Sequence, residues 1–139
     1  MSLNRRQARE LAFQFLYGHL AIAAPAPKAA ELRHTDFELF AENFESKSDE
    51  FAWELAEGTG KNLPALDAQI GKLSTNWRIE RMPRVDLTVL RLAAFEILFR
   101  PDIPKTVSIN EAIELAKRFG AEDSAAFVNG LLDKIAKPS

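Results

Sequence analysis

The 139-residue chain contains no cysteine. That excludes disulfides, thiol catalysis and cysteine-based metal sites, and it fits a reducing compartment. Histidine is scarce too: His19 and His34 are the two in the chain, and without carboxylate help they cannot hold a metal, nor does either sit in an HExxH spacing. A glycine-rich phosphate loop is missing, since GTGKN at Gly58 to Asn62 lacks the leading glycine and its spacing. No apolar run reaches the ~18 residues that a membrane span needs. The stretch after Arg5, Arg6 and Arg9 is amphipathic and carries Gln14 and His19, without the character of a cleavable signal, so the expectation is a soluble, cytoplasmic protein. Net charge is small, −2; any nucleic acid must be held by a local basic patch rather than by the field of the whole molecule. No constellation of nucleophile, base or metal ligands is recognisable, so the expectation is a non-enzyme with no cofactor.

Strand signals are absent as well, because no long segment alternates at period two. What is present is helix. Leu11, Ala12, Phe15, Leu16 and His19 follow the i, i+3, i+4 rule and predict a first helix from Ala8 to about Leu20. AIAAPAPKAA then reads as a Pro/Ala linker. Thr35 with Glu38 suggests a capping box before Phe37, Phe40, Ala41 and Phe44, and Ser46 or Ser48 suggests the start of a longer helix. In that longer element Phe51, Leu55, Thr59, Leu63, Leu66, Ile70, Leu73 and Trp77 keep one phase despite Gly58, Gly60 and Pro64. A helix kinked near Asn62, or two helices in register, accounts for this; a linker does not. After Pro83, the residues Val85, Val89, Leu90, Leu92, Ala93, Phe95, Ile97, Leu98 and Phe99 leave little polar face, predicting a helix buried nearly all round and ended by Pro101 and Pro104.

The last stretch, Val107 to Ala136, reads as two capped helices and a tight turn. Ser108 with Glu111 suggests a capping box, followed by a stripe of Ile109, Ala112, Ile113, Ala116 and Phe119. Lys117 and Arg118 suit the negative end of the helix dipole, Gly120 is the expected stop, and Glu114 can pair with either cation. Glu122 and Asp123 open the last helix, whose stripe is Phe127, Val128, Leu131, Leu132 and Ile135. Gly130 inside it costs about 1 kcal/mol against Ala, so close approach by a backbone or a ligand is expected there. The sum is an all-α bundle of six to seven helices in one domain.

Two groups of residues could bind RNA. Arg5, Arg6 and Arg9 lie within two turns, with Arg5 and Arg9 on one face, a patch able to neutralise two or three phosphates. A solvated helix start, with Arg9 paired to Glu10 or a neighbour, is the plainer reading. Phe119 and Phe127 flank the GAED turn and could stack on unpaired bases, although both also fall on apolar stripes and could be core.

INEAIELAKRFGAEDS followed by FVNGLLDKIA, RRQARELAFQFLYG at the N-terminus and VDLTVLRLAAFEIL between them resemble the NusB transcription antitermination family, in the right order and over a little more than half the chain. The resemblance implies a helical bundle of two small subdomains packed across each other, here about 1–76 and 77–139. It implies an RNA-binding factor that grips a boxA-like leader sequence, joins the ribosomal protein NusE, and supports ribosomal RNA transcription within the RNA polymerase antitermination complex. Arg5, Arg6 and Arg9 would then contact RNA, with Phe119, Asp123 and Phe127 bordering its path and Asp123 capping the last helix and tuning affinity. Gln7 stands where many members carry a further basic residue. Tyr17, Glu80 and Asp86 would face NusE, with Arg78, Arg81 and Arg84 interleaved. A homodimer hiding the RNA surface is a further expectation, with the Phe-rich residues 37–44 as interface. An RNA-binding module of an rRNA methyltransferase is an alternative, open only if this chain is a fragment. A helix-turn-helix DNA binder is disfavoured, because Glu122 and Asp123 would open the recognition helix.

Overall fold

The computed structural model describes residues 3–20, 23–43 and 49–138. Among them are seven α-helices, one short 3-10 turn and no strand, the all-α architecture expected. The helices are α1 (Arg5–His19), α2 (His34–Asn43), α3 (Glu50–Lys61), α4 (Leu63–Leu73), α5 (Arg84–Phe99), α6 (Lys105–Phe119) and α7 (Ser124–Ala136), with the 3-10 turn Ile79–Arg81 before α5. Phe44 and the proposed starts at Ser46 and Ser48 lie outside the described residues.

Helix α1 starts three residues earlier than its apolar period suggests. Asn4 caps it: its Oδ1 accepts from Gln7 N at 2.8 Å while Asn4 N donates to Gln7 Oε1 at 3.0 Å. This reciprocal pair satisfies two of the orphan backbone groups of the first turn. The α3–α4 element is two helices in register: Asn62 separates them, and Pro64 lies in the first turn of α4, where its missing N–H costs little. Leu55, Thr59, Leu63, Leu66 and Ile70 are all buried along the shared stripe, while Trp77 lies beyond its end and is exposed. Gly58 lets Phe95 in. A Cβ there would stand 2.0 Å from the ring's Cζ.

Helix α5 is the hub, packed against α1, α3, α4, α6 and α7. Asp86 through Ile97 are buried without interruption, as its apolar composition predicts. Each fully buried Leu or Phe contributes about 1.5–3 kcal/mol relative to exposure. A helix with no polar face must find partners for its own charges, and α5 does so on other helices. Arg91, 2% exposed at the side chain, donates to both carboxylate oxygens of Asp67 in α4 at 2.8 and 2.7 Å. Asp67 also accepts the backbone N–H of Ala26 at 2.8 Å, tying the Pro/Ala connection to the core.

Three capping expectations fail, that at Ser108 because a tertiary partner outcompetes the local one. Ser108 is not a cap: α6 begins at Lys105 directly after Pro104, and Ser108, one turn in, is buried with its hydroxyl donating to Glu96 Oε1 at 2.9 Å. Thr35 lies inside α2, and Glu38 pairs with the His34 ring at 2.9 Å instead. Asp123 occupies the N-cap position of α7 without a side-chain capping bond. Ser124 does the bonding there, its Oγ accepting from Ala121 N at 2.9 Å and donating to Asp86 Oδ1 at 2.7 Å. Gly120 ends α6 as expected, in extended rather than left-handed backbone; a Cβ on it would lie 2.7 Å from Ala116 O and from Ser124.

Candidate nucleic-acid interface

The three N-terminal arginines have three different environments. Arg5 is exposed, with its guanidinium 3.6 Å from the centre of the Phe51 ring. This cation–π contact orients the charge while leaving it in water. Arg6 is exposed and forked onto Glu111 of α6, Nε and Nη2 donating to Oε2 at 3.2 and 2.9 Å. That hydrogen bond, then the charge of Glu111, hold the Arg6 proton more tightly than usual. Arg9 is buried, 4% exposed, and faces inward. Its Nε and Nη2 donate to Glu96 of α5 at 3.0 and 2.8 Å, and Glu111 lies 3.8 Å away. The partner of Arg9 is thus neither Glu10 nor a sequence neighbour.

These pairs stitch α1 to α5 and α6. Arg118 adds a further tie to α1 by donating to Glu10 at 2.6 Å, so Glu114 pairs with Lys117, at 3.9 Å, rather than with Arg118. The outward cations at this end of the molecule are Arg5, Arg6, Lys117 and Arg118.

Phe119 and Phe127 are both half-buried, between the core and solvent readings. Phe119 stacks on Phe13 at 4.9 Å, with the Arg118 guanidinium 5.2 Å from its centre. Phe127 meets the edge of Trp77 at 6.5 Å. Asp123 is exposed between them in the chain. Trp77 itself was visible in the sequence only as the last member of a helical stripe, and nothing marked it as a surface ring.

On another face Tyr17 is 37% exposed, with the Arg84 guanidinium 4.3 Å from its ring and donating to the Tyr17 carbonyl. Tyr17, Glu80 and Arg84 line one small pocket. Asp86 is not on that surface: it is 4% exposed, and its carboxylate is held by Ser124 beneath α7. Among the described residues no group of His, Asp or Glu is arranged to hold a metal ion, and no helix is long and apolar enough to cross a membrane.

Residues 6–137 match the family model described as the NusB family. The chain belongs to the NusB family. Among NusB proteins, the transcription antitermination protein NusB of Citrifermentans bemidjiense is 51% identical over 139 residues, spanning 96% of this chain and 94% of that protein. The NusB of Desulfovibrio desulfuricans is 47% identical over 143 residues, spanning 96% and 85%. In structure, NusB from T. maritima aligns with a TM-score of 0.77 at 38% identity, covering 98% of this chain and 92% of its own. A second NusB, crystallised with NusE and double-stranded RNA, aligns with a TM-score of 0.77 at 26% identity, covering 95% of each chain.

Proposed function

We propose that this protein is an RNA-binding transcription antitermination factor. It binds a boxA-like leader RNA together with the ribosomal protein NusE and so supports ribosomal RNA transcription within an RNA polymerase antitermination complex. The observation that carries the reading is the likeness, along nearly the whole chain, to a NusB seen with NusE and RNA. The outward cations at the start of α1 and the end of α6 support it, because phosphates need charges that are held in place yet wet.

Within this reading Arg5 and Arg6 contact phosphate. Arg9 makes no RNA contact: it is buried against α5, and that packing, which an apolar pair can replace, seats α1 so that Arg5 and Arg6 project outward. Phe119 and Phe127 offer ring surface to unpaired bases. Asp123, a carboxylate beside the path, lowers affinity for phosphate and sharpens the choice of strand. Tyr17 and Glu80 face NusE, with the tyrosine as a rigid amphipathic anchor. Asp86 supports that face from beneath by joining α5 to α7. The protein supplies surfaces and no catalysis, works in the cytoplasm, and can bury its RNA face in a homodimer when idle.

The test is a titration of fluorescein-labelled boxA-like RNA with and without NusE, at two salt concentrations. Both proteins together should bind more tightly than either alone, since each raises the effective concentration of the other on one strand. Absence of RNA binding under every condition would overturn the reading.

A further inference from the structure

Trp77 has no part in the roles above. It sits on the turn after α4, where Ser74 Oγ donates to the Trp77 carbonyl at 2.7 Å and holds the loop in shape. The residue is 53% exposed. The chain's other tryptophan, Trp53, is half-buried against Phe37 at 5.5 Å. An exposed indole on a pinned loop is an unused stacking surface.

Between that loop and α7 runs a groove of about 230 Å³, lined among others by Trp77, Phe127, Gly130 and Lys134. Among the described residues Lys134 is the one charged residue of its lining, and its Nζ lies 3.5 Å from Thr75 Oγ1 at the groove wall. The loop also walls a second groove of about 490 Å³, whose lining carries Lys72 and Arg78 together with Asp67 and Glu80. Gly130 adds an independent observation. It costs its helix about 1 kcal/mol against Ala, yet a Cβ there would meet nothing within 4 Å among the described residues. No packing neighbour explains the glycine. Its missing side chain keeps the groove floor open beside the two rings.

An aromatic wall, an open floor and a single cation describe a receptor for a flat ring carrying an anionic tail. We propose that this groove takes one unpaired base of the bound RNA strand, stacked on Trp77, with its phosphate drawn to Lys134. The proposal rests on the RNA-binding reading and extends it: Phe127, already placed beside the RNA path, forms part of the same wall, so a strand passing Phe127 reaches Trp77 without a gap. Stacking on an indole is tolerant of base identity, so the site selects for an unpaired nucleotide rather than for a particular letter.

The experiment uses Trp53→Phe, which leaves Trp77 as the sole tryptophan, titrated with fluorescein-labelled single-stranded boxA-like RNA. Indole emission should quench in step with the RNA anisotropy. Trp77→Ala, at an exposed loop position, should weaken binding about 5- to 150-fold, the range one stacked base spans. Gly130→Leu, which places a side chain in the groove, should weaken it in the same direction. An abasic nucleotide at the stacked position should reproduce the loss in the parent protein and add nothing to Trp77→Ala. RNA that binds without quenching, with Trp77→Ala within about twofold of the parent, overturns this proposal and leaves the RNA-binding reading standing. Quenching by NusE alone and not by RNA makes the groove a protein-docking site and also overturns it. Absence of RNA binding altogether removes both readings.

Discussion

Replacing Arg9 by Met keeps the length and most of the apolar stem of the side chain but strips its charge from a buried carboxylate. Arg9 and Glu96 are 4% and 2% exposed at their side chains, and the guanidinium fork supplies the bonds at 3.0 and 2.8 Å. Among the described residues, only the Ser108 hydroxyl would remain on Glu96. Breaking one side of such a pair costs about 3–5 kcal/mol, a large share of the roughly 5–15 kcal/mol that holds a domain folded. The urea midpoint should fall accordingly, and Tm should drop by roughly 10–20 °C. A second substitution separates this account from loss of a phosphate contact. Arg9→Met with Glu96→Leu removes both charges, and replacing a buried pair by apolar groups is often neutral, so most of the loss should return, with Ser108 turning its hydroxyl to the carbonyl one turn back. The RNA salt slope should not change in the double variant, because a guanidinium that never meets solvent releases no counterion. Arg5→Ala and Arg6→Ala should each flatten it by about 0.7. If Arg9→Met costs less than about 1 kcal/mol, or if the double variant flattens the salt slope, the inward assignment of Arg9 is wrong.

Gly58→Ala should cost about 1–3 kcal/mol in urea unfolding by driving a methyl into the Phe95 ring, and Phe95→Leu in the same chain should recover part of that. Glu111→Gln frees Arg6 from its carboxylate, so RNA affinity by anisotropy should rise about twofold to fivefold, the range an exposed ion pair spans. Asp102 accepts from Arg100, and that hydrogen bond holds its carboxyl below the ordinary range. A depressed folded value gives stability that is present above the unfolded value and lost as pH falls through the folded one. The Tm difference between the parent and Asp102→Asn should therefore be level at neutral pH and shrink below about pH 4.

Elements with a single dominant pattern were legible in the sequence. Helix α5 announced its burial by having no polar face, and the α3–α4 stripe kept its phase across Asn62. The family likeness was legible too. The inward turn of Arg9 was not, because its partner lies 87 residues away and periodicity records only neighbours. Ser108 was misread for the same reason: Ser-x-x-Glu is a capping pattern locally, and the buried Glu96 that claims its hydroxyl is on another helix. A usable signal did exist. Arg91 and Glu96 sit inside a helix with no polar face, and charges so placed demand opposite charges on the elements packed around them. Trp77 escaped because it closed an apolar stripe that the helix had already left.

The Pro/Ala connection after α1 looks unconstrained, yet two of its backbone N–H groups are anchored. The Ala26 N–H reaches Asp67, and the Ala30 N–H reaches the Gly60 carbonyl at 2.9 Å. Neither anchor uses a side-chain polar group of the segment itself. Natural variants should therefore change the letters between these anchors freely while keeping their number, because an inserted residue would shift one N–H off its acceptor whatever its side chain. A proline at either anchor would be as disruptive as an insertion, and for the same reason. In this stretch the inherited quantity is spacing, and composition is free to drift.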